Sequence, residues 1–308
     1  MKKSLFPAAT LSALSLLLLL LKPEIALAGA RDGLNLWAFV VLPTLLPFML
    51  CSTAAAQSGG ISLLTAPFSP LLEGVFGLSE AGSYTLLTGL LCGYPMGART
   101  CARFRAQGLL SAPEAKVLLA VSNHPSPMFL LGYVMAGLDS LCPAALFLAA
   151  VYLPILPIAI LAAKIYRFSP SSAGSKRSPH PSETPGFSFG RDFLDCLEAM
   201  EKIGGCILVF SILAAYIWNL SPLPPAANAC LLGLTEITTG IHALKAELGG
   251  PLLAAAAAAA SAFGGLSGVF QTQSVLTKNA GLSIRHYVLW KLIHAGLTGL
   301  ILTAALLP

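Results

Sequence analysis

The sequence predicts an all-α polytopic membrane protein of about 8–10 membrane segments, built as two repeats with broken or re-entrant helices. Three observations carry that expectation: a composition that only a bilayer can solvate, a succession of apolar stretches near the length of one crossing, and helix-breaking polar motifs at matched places in the two halves. Of 308 residues, 56% are hydrophobic and 10% charged, and the mean hydropathy is +0.79. A soluble domain carries about 25% charged residues, so this chain could not cover a water-facing surface. Solenoids, disordered tails and nucleic-acid binders are excluded on the same ground, since each needs a polar or strongly charged exterior. A hydrocarbon core about 30 Å thick takes about 20 helical residues per crossing, so the length holds roughly eight crossings with their connections.

At the start, Lys2 and Lys3 precede the apolar run Leu11–Leu21, and Ala26-Leu27-Ala28 has the small-residue pattern of a signal-peptidase site. The helix is long enough to stay as an anchor, and Pro23, Glu24 and Arg31 lead directly into another span. An uncleaved N-terminal transmembrane helix over residues 1–30, beginning its apolar stretch at Ser4, is therefore expected. Residues 31–163 read as a first membrane repeat, with apolar stretches Leu34–Ala56, Ala81–Ala98, Val117–Gly137 and Leu141–Ala163. Ile61–Leu78 carries Pro67, Pro70 and Glu73 and is either a crossing or an interfacial or re-entrant piece. Ser111-Ala112-Pro113-Glu114 has the form of a capping box and should start a helix.

Residues 164–192 read as a linker, because Phe168–Gly190 is rich in Ser, Pro, Lys and Arg and has no periodicity. Residues 193–308 read as the second repeat, with stretches Ile203–Leu220, Ala226–Ala243, Leu252–Phe270 and Tyr287–Leu307. Its entry places Phe193, Leu197, Met200 and Gly204 on one helical face and Asp192, Asp195, Glu198 and Lys202 on others, as in an interfacial amphipathic helix. Basic residues gather at Lys2 and Lys3, in Arg99–Lys116 and in Lys164–Lys202, which should be cytoplasmic. Such an orientation needs an even number of crossings between Lys3 and Arg99; it is met if Ile61–Leu78 crosses and fails if it only dips. The formal charge of +5 is largely these loops and implies no partner.

Four apolar segments are interrupted by small, polar or helix-breaking residues: Gly93-Tyr94-Pro95-Met96-Gly97-Ala98-Arg99, Ser122-Asn123-His124-Pro125-Ser126-Pro127, Thr235-Glu236-Ile237-Thr238-Thr239-Gly240, and Phe263-Gly264-Gly265-Leu266-Ser267-Gly268. Two lie in each half. Prolines remove backbone donors and glycines permit turns, so freed amides and carbonyls must be satisfied by protein, water or ligand. Matched breaks in two halves point to the midplane site of a secondary transporter, where half-helix N-termini face anions and carbonyl ends face cations. Gly93, Tyr94, Pro95, Gly97, Arg99, Ser122, Asn123, His124, Ser126, Thr238, Thr239, Gly264, Gly265, Ser267 and Gln271 are the candidate substrate residues, with Glu236 and Thr235 as candidates for ion coupling.

Blander alternatives stand beside these. Glycines and prolines also permit close helix packing, and the run Ala254–Ala260 with Ser261 and Gly264 fits that role, with no direct chemistry. His124 reads equally as a histidine hydrogen-bonded to the Pro-broken backbone, with His242 and His294 weaker candidates still. Arg99 reads equally as a loop anchor. Glu236 is the one carboxylate placed well inside a strongly apolar stretch; translocon scales set about 2.5–3.5 kcal/mol against a central Asp, so a function or an ion pair must hold it there. The seven cysteines are odd in number and far apart, with no disulfide framework or CxxC metal site. No P-loop, GxGxxG or HExxH is present, and Gly265–Val269 does not complete GxSxG, so no enzyme is expected.

As an ordered set, Gly33-Leu34-Asn35-Leu36-Trp37, Leu42-Pro43-Thr44-Leu45-Leu46-Pro47-Phe48, Gly93–Ala98, Ser122–Pro127 and Phe263–Ser267 with Gln271 and Gln273 resemble the YlbJ-type sporulation integral membrane proteins. That family sits with the nucleoside-recognition, or gate-domain, proteins. The resemblance implies two gate-type repeats, a distant relation to concentrative nucleoside transporters, and dipicolinic acid as cargo moved across the outer forespore membrane. His124, where a small polar residue is expected, and the Phe168–Gly190 linker depart from the family pattern. The implied partners are dipicolinate or a related anion and the lipid bilayer, with no nucleic acid; a homo-oligomer is compatible. No cofactor or metal is expected beyond a coupling ion, sodium or proton. The alternatives are a nucleoside-like or other small-solute carrier and a non-transporting assembly protein of sporulation.

Overall fold

A computed structural model describes residues 5–307 apart from 59, 61, 62, 64, 170–186 and 277–279. Lys2, Lys3, Lys176, Arg177 and most of the 164–192 linker lie outside the described residues. The described residues are helical with no strand. Helix α1 spans Leu5–Leu21 and α2 spans Pro23–Leu36. Pro23 bars Lys22 from helical geometry, and the chain bends by 101° there, so residues 23–30 belong to the second helix instead of the first. A π-helical turn, Trp37–Val41, joins α2 to α3 (Leu42–Gln57). Helix α4, Ser69–Phe76, has eight residues, about 12 Å, and falls short of a crossing by itself.

The chain continues with two interrupted helices. Helices α5 (Glu80–Cys92) and α6 (Met96–Ala106) flank the first break. Helix α7 (Ala112–Val121) ends at the second, beyond which Pro127–Phe129 runs into a π-helical turn, Leu130–Val134. Ser111 caps α7 as its sequence foretold, accepting from the Glu114 amide at 3.3 Å. The buried Glu114 carboxylate reaches across to the Ser79 amide at 2.7 Å, at the start of α5, and so ties the two interrupted helices together. Helices α8 (Ala144–Tyr152) and α9 (Ile155–Ile165) follow.

Beyond the linker the chain resumes with α10, Phe189–Leu220, a single 32-residue helix. The amphipathic stretch is thus the first part of that long helix and not a separate interfacial one, because no proline or capping residue divides it from Ile203–Leu220. Its inner face, Cys196, Met200, Ile203 and Ile207, is buried against α2 and α3. Helices α11 (Pro225–Thr235) and α12 (Ile237–Glu247) meet at Glu236, and α13 (Gly250–Phe263) and α14 (Gly265–Val275) meet at Gly264, whose φ of +84° is a conformation that favours glycine. Helix α15, Ile284–Leu306, closes the fold against α13, where Ala254, Ala257 and Ala258 are fully buried as the packing alternative expected.

Residues 144–165, 189–220, 250–275 and 284–306 are long and apolar enough to cross a membrane, with the bent pair 12–21 and 23–41 as a fifth. Of the expected segments, Ala81–Ala98, Val117–Gly137 and Ala226–Ala243 are each divided into shorter helices at their breaks. Outward side chains such as Leu16, Leu20, Phe39 and Leu300 are exposed, as lipid contact requires. The chain is an integral, polytopic α-helical membrane protein.

Candidate functional site

The second break is a hub. Asn123 Nδ2 donates to Thr272 Oγ1 on α14 and to Tyr287 Oη on α15, both at 2.8 Å, while its Oδ1 accepts from the Ala98 amide on α6 at 3.3 Å. The carbonyls that Pro125 and Pro127 deprive of a helical donor find side-chain donors, as does that of Pro125. Val121 O is bonded by His124 Nε2 at 2.8 Å, Asn123 O by Lys291 Nζ at 3.0 Å, and Pro125 O by Tyr152 Oη at 2.7 Å. The Ser122 carbonyl lies so close to α5 and α6 that a Cβ at Gly89 or Gly97 would overlap it.

The other breaks join this hub. The Tyr94 ring lies against Gly264, where an added Cβ would stand 3.4 Å away, and Lys291 Nζ is 5.9 Å from the ring centroid. A Cβ at Gly265 would stand 3.1 Å from Thr235 O, bringing the third and fourth breaks together. Tyr133 Oη donates to Thr238 O at 3.0 Å, and Lys245 Nζ donates to Tyr133 O and Ala136 O at 3.0 and 2.7 Å. All four interruptions therefore meet in one region.

A cavity of about 330 Å³ opens there. Gly93, Tyr94, Ser126, Glu236, Thr238 and Gln271 of the candidate residues line it, together with Pro125. Its remaining wall is apolar and aromatic, with Leu36, Val40, Val41 and Leu45 from α2, α3 and the turn between them, Phe129, Gly132 and Tyr133 from the second turn, and Ile207 from α10. Tyr94 Oη has no hydrogen-bond partner among the described residues.

Glu236 is 1% exposed and is the N-cap of α12. Its Oε2 accepts from the Thr238 and Thr239 amides at 3.0 and 2.8 Å, from Thr239 Oγ1 at 3.1 Å and from Thr238 Oγ1. A carboxylate at a half-helix N-terminus is held by both the free amides and the helix dipole. All four donors converge on one oxygen, so that Oε1 accepts no hydrogen bond among the described residues, and Glu236 lines the cavity.

Other candidates stand outside the cavity lining. Thr235 Oγ1 turns back to Leu231 O at 2.9 Å within its own helix. Thr239 serves the Glu236 cap, and Ser267 accepts from Gln271 Nε2 at 3.0 Å. Pro95, Gly97, Ser122, Asn123, Gly264 and Gly265 shape the breaks behind the lining. His124 is buried behind it as well, its ring edge-on to His294 with centroids 4.6 Å apart. Arg99 faces a different cavity, with Arg103, on the α10 side of α6.

Lys291 was not singled out from the sequence, although it is 1% exposed in the middle of the junction. A lysine inside the apolar stretch Tyr287–Leu307 was a usable signal, since an intramembrane cation requires a partner. Tyr133 and the α2–α3 wall carried no signal, because apolar and aromatic side chains are common throughout such a sequence.

The chain is 26% identical over 208 residues to the sporulation integral membrane protein YlbJ of Bacillus subtilis (strain 168), an alignment covering 62% of this chain and 51% of that protein. It spans about half the length of the curated relative it matches. The likeness supports a YlbJ-type family assignment, the one the ordered motifs pointed to. No protein-family model matches the chain, and no solved structure matches it.

Proposed function

We propose, starting from the YlbJ-type assignment and the cavity among the four breaks, that this chain is a secondary carrier of a small organic anion, dipicolinate, in the outer forespore membrane during sporulation. The observation that carries the proposal is the cavity itself. Its volume of about 330 Å³ suits a single small ring, Phe129, Tyr133 and Tyr94 give it an aromatic lining suited to a planar solute, and half-helix ends surround it. The dipicolinate identity comes from the family resemblance.

Glu236 sets the mechanism. Two unit charges of like sign about 4 Å apart repel by about 4 kcal/mol at an effective dielectric of about 20, so a dianion beside an ionised Glu236 needs a compensating cation. Sodium bridging Glu236 Oε1 and a substrate carboxylate, or a proton on Glu236, supplies it. Ion and solute then bind together and leave together, which is coupled transport. The hydroxyls of Ser126 and Thr238 add oxygen ligands suited to a hard ion.

A second reading has its own observation. Among the described residues, no guanidinium or ammonium lines the cavity, and Glu236 Oε1 is an acceptor. A neutral, hydroxyl-bearing heterocycle of nucleoside type would satisfy that wall without a coupling charge. Sporulating cells lacking this chain separate the two. Spores poor in dipicolinate, with the acid accumulating outside the forespore and not rescued by adding it to the medium, support the anion carrier. Normal spore content overturns it, and loss of labelled uridine uptake instead supports the second reading.

A further inference from the structure

We propose that Arg99 and Arg103 form a second, anion-binding site, a vestibule that takes a carboxylate of a small organic dianion separately from the Glu236 cavity. The identity of the anion rests on the carrier reading above; the site itself rests on its own geometry.

Arg99 and Arg103 are four residues apart on α6, so their side chains share one face. That face borders a cavity of about 260 Å³ between α3, α6 and α10, lined also by Gln57, Arg191, Asp192 and Asp195. Two guanidinium groups side by side repel one another, and such an arrangement persists where an anion is to be shared between them. The acidic side chains opposite supply it only in part: Asp192 and Asp195 lie within electrostatic reach of Arg103, and Glu198 of Arg99, without a close ion pair to either arginine. Asp192 is already held by Gln57 Nε2 at 3.0 Å, the Ser188 amide at 2.8 Å and Arg191 at 3.4 Å. Arg99 makes one long bond, 3.4 Å to the Asp195 carbonyl, and the half-buried Arg103 side chain makes no hydrogen bond or salt bridge among the described residues. Arg191 is taken up with Asp192, so Arg99 and Arg103 are left with longer-range attraction from the neighbouring carboxylates and no close ion pair among the described residues. A planar carboxylate fits the forked donors of the pair bidentately. A dianion drawn in here meets positive charge, which the Glu236 cavity lacks.

The test uses the full chain in nanodiscs of neutral phosphatidylcholine, with labelled dipicolinate as probe in equilibrium dialysis, beside uptake into proteoliposomes. Arg103→Gln and Arg99→Gln are expected to weaken binding at least tenfold and to raise KM without lowering the maximal rate, with Arg103→Lys recovering part of the loss. Asp195→Asn is expected to tighten binding, a gain that a purely structural arginine pair would not show. Unchanged dialysis and KM in both Gln variants of a chain that transports dipicolinate overturn the vestibule and leave the carrier intact. Arginine-dependent binding without uptake keeps the site and overturns the carrier. Arginine dependence seen only as retention of anionic lipid, with no dipicolinate bound, assigns the pair to a headgroup and overturns the proposal.

Discussion

Lys291 Nζ donates to the backbone carbonyl of Asn123 at 3.0 Å, just past the C-terminal end of α7, where the proline-rich break has removed the ordinary acceptor's partner. The third break shows the counterpart with the opposite charge, Glu236 capping the amide end of α12. The second and third breaks are thus each closed by an ionisable side chain of the sign the helix dipole favours.

Reversing the first of these charges should unravel the hub. Lys291→Glu places a carboxylate against a carbonyl end, losing a charge-assisted hydrogen bond and adding repulsion, and should cost about 2–4 kcal/mol. Thermal unfolding in detergent reads it as a clear drop in Tm. A Tm equal to that of the unmodified chain would show that Lys291 does not hold the break.

Removing the Asn123 side chain orphans partners on three helices. Asn123→Ala leaves the Thr272 and Tyr287 hydroxyls and the Ala98 amide without their shared acceptor or donor, at about 2–4 kcal/mol in all. The same unfolding assay should rank it among the most damaging single truncations, and a loss under about 0.5 kcal/mol would contradict the hub.

Gly97→Ala drives a methyl group into the Ser122 carbonyl, so α6 and the second break must separate. Overpacking of this kind costs about 1–3 kcal/mol and more where backbone cannot move. Gly205→Ala on α10, where an added Cβ meets nothing within 4 Å, is the control and should be neutral or stabilising by up to about 1 kcal/mol. Equal behaviour of the two variants in expression and Tm would rule out the close approach.

An added side chain at Gly132 should occupy the cavity without disturbing the fold. A Cβ there meets nothing within 4 Å, and the residue lines the site. Gly132→Phe is expected to leave Tm within a few degrees while cutting solute uptake at least tenfold; full uptake would place the solute path elsewhere.

Much of this was legible before any coordinates. The four breaks, the Ser111 cap and the buried role of Ala254–Ala260 follow from proline, glycine, serine and alanine chemistry at fixed spacing. What the breaks converge on was only partly legible. Side chains such as Arg99 and Gln271 belong to the same motifs, yet one faces the α10 side and the other the cavity, because the face a residue takes depends on how half-helices tilt about each break. Lys291 and Tyr133 act from outside the motifs, on partners more than 100 residues distant in the chain. Pairings of that kind are set by tertiary packing and leave no local pattern.

The carboxylate of Glu236 is where structure and proposed transport meet. Glu236→Gln keeps a carbonyl for the Thr238 and Thr239 amides, so membrane abundance should stay near normal, whereas Glu236→Ala should lose about 0.5–2 kcal/mol with the cap. The most direct measurement is therefore uptake of labelled dipicolinate by the purified chain in proteoliposomes under imposed sodium or proton gradients. Uptake that rises with one of the gradients in the unmodified chain, and becomes slow and indifferent to both in Glu236→Gln, is the expected result. A Glu236→Gln chain that transports at the native rate with the native ion dependence would make Glu236 a helix cap alone and contradict coupled transport through this cavity.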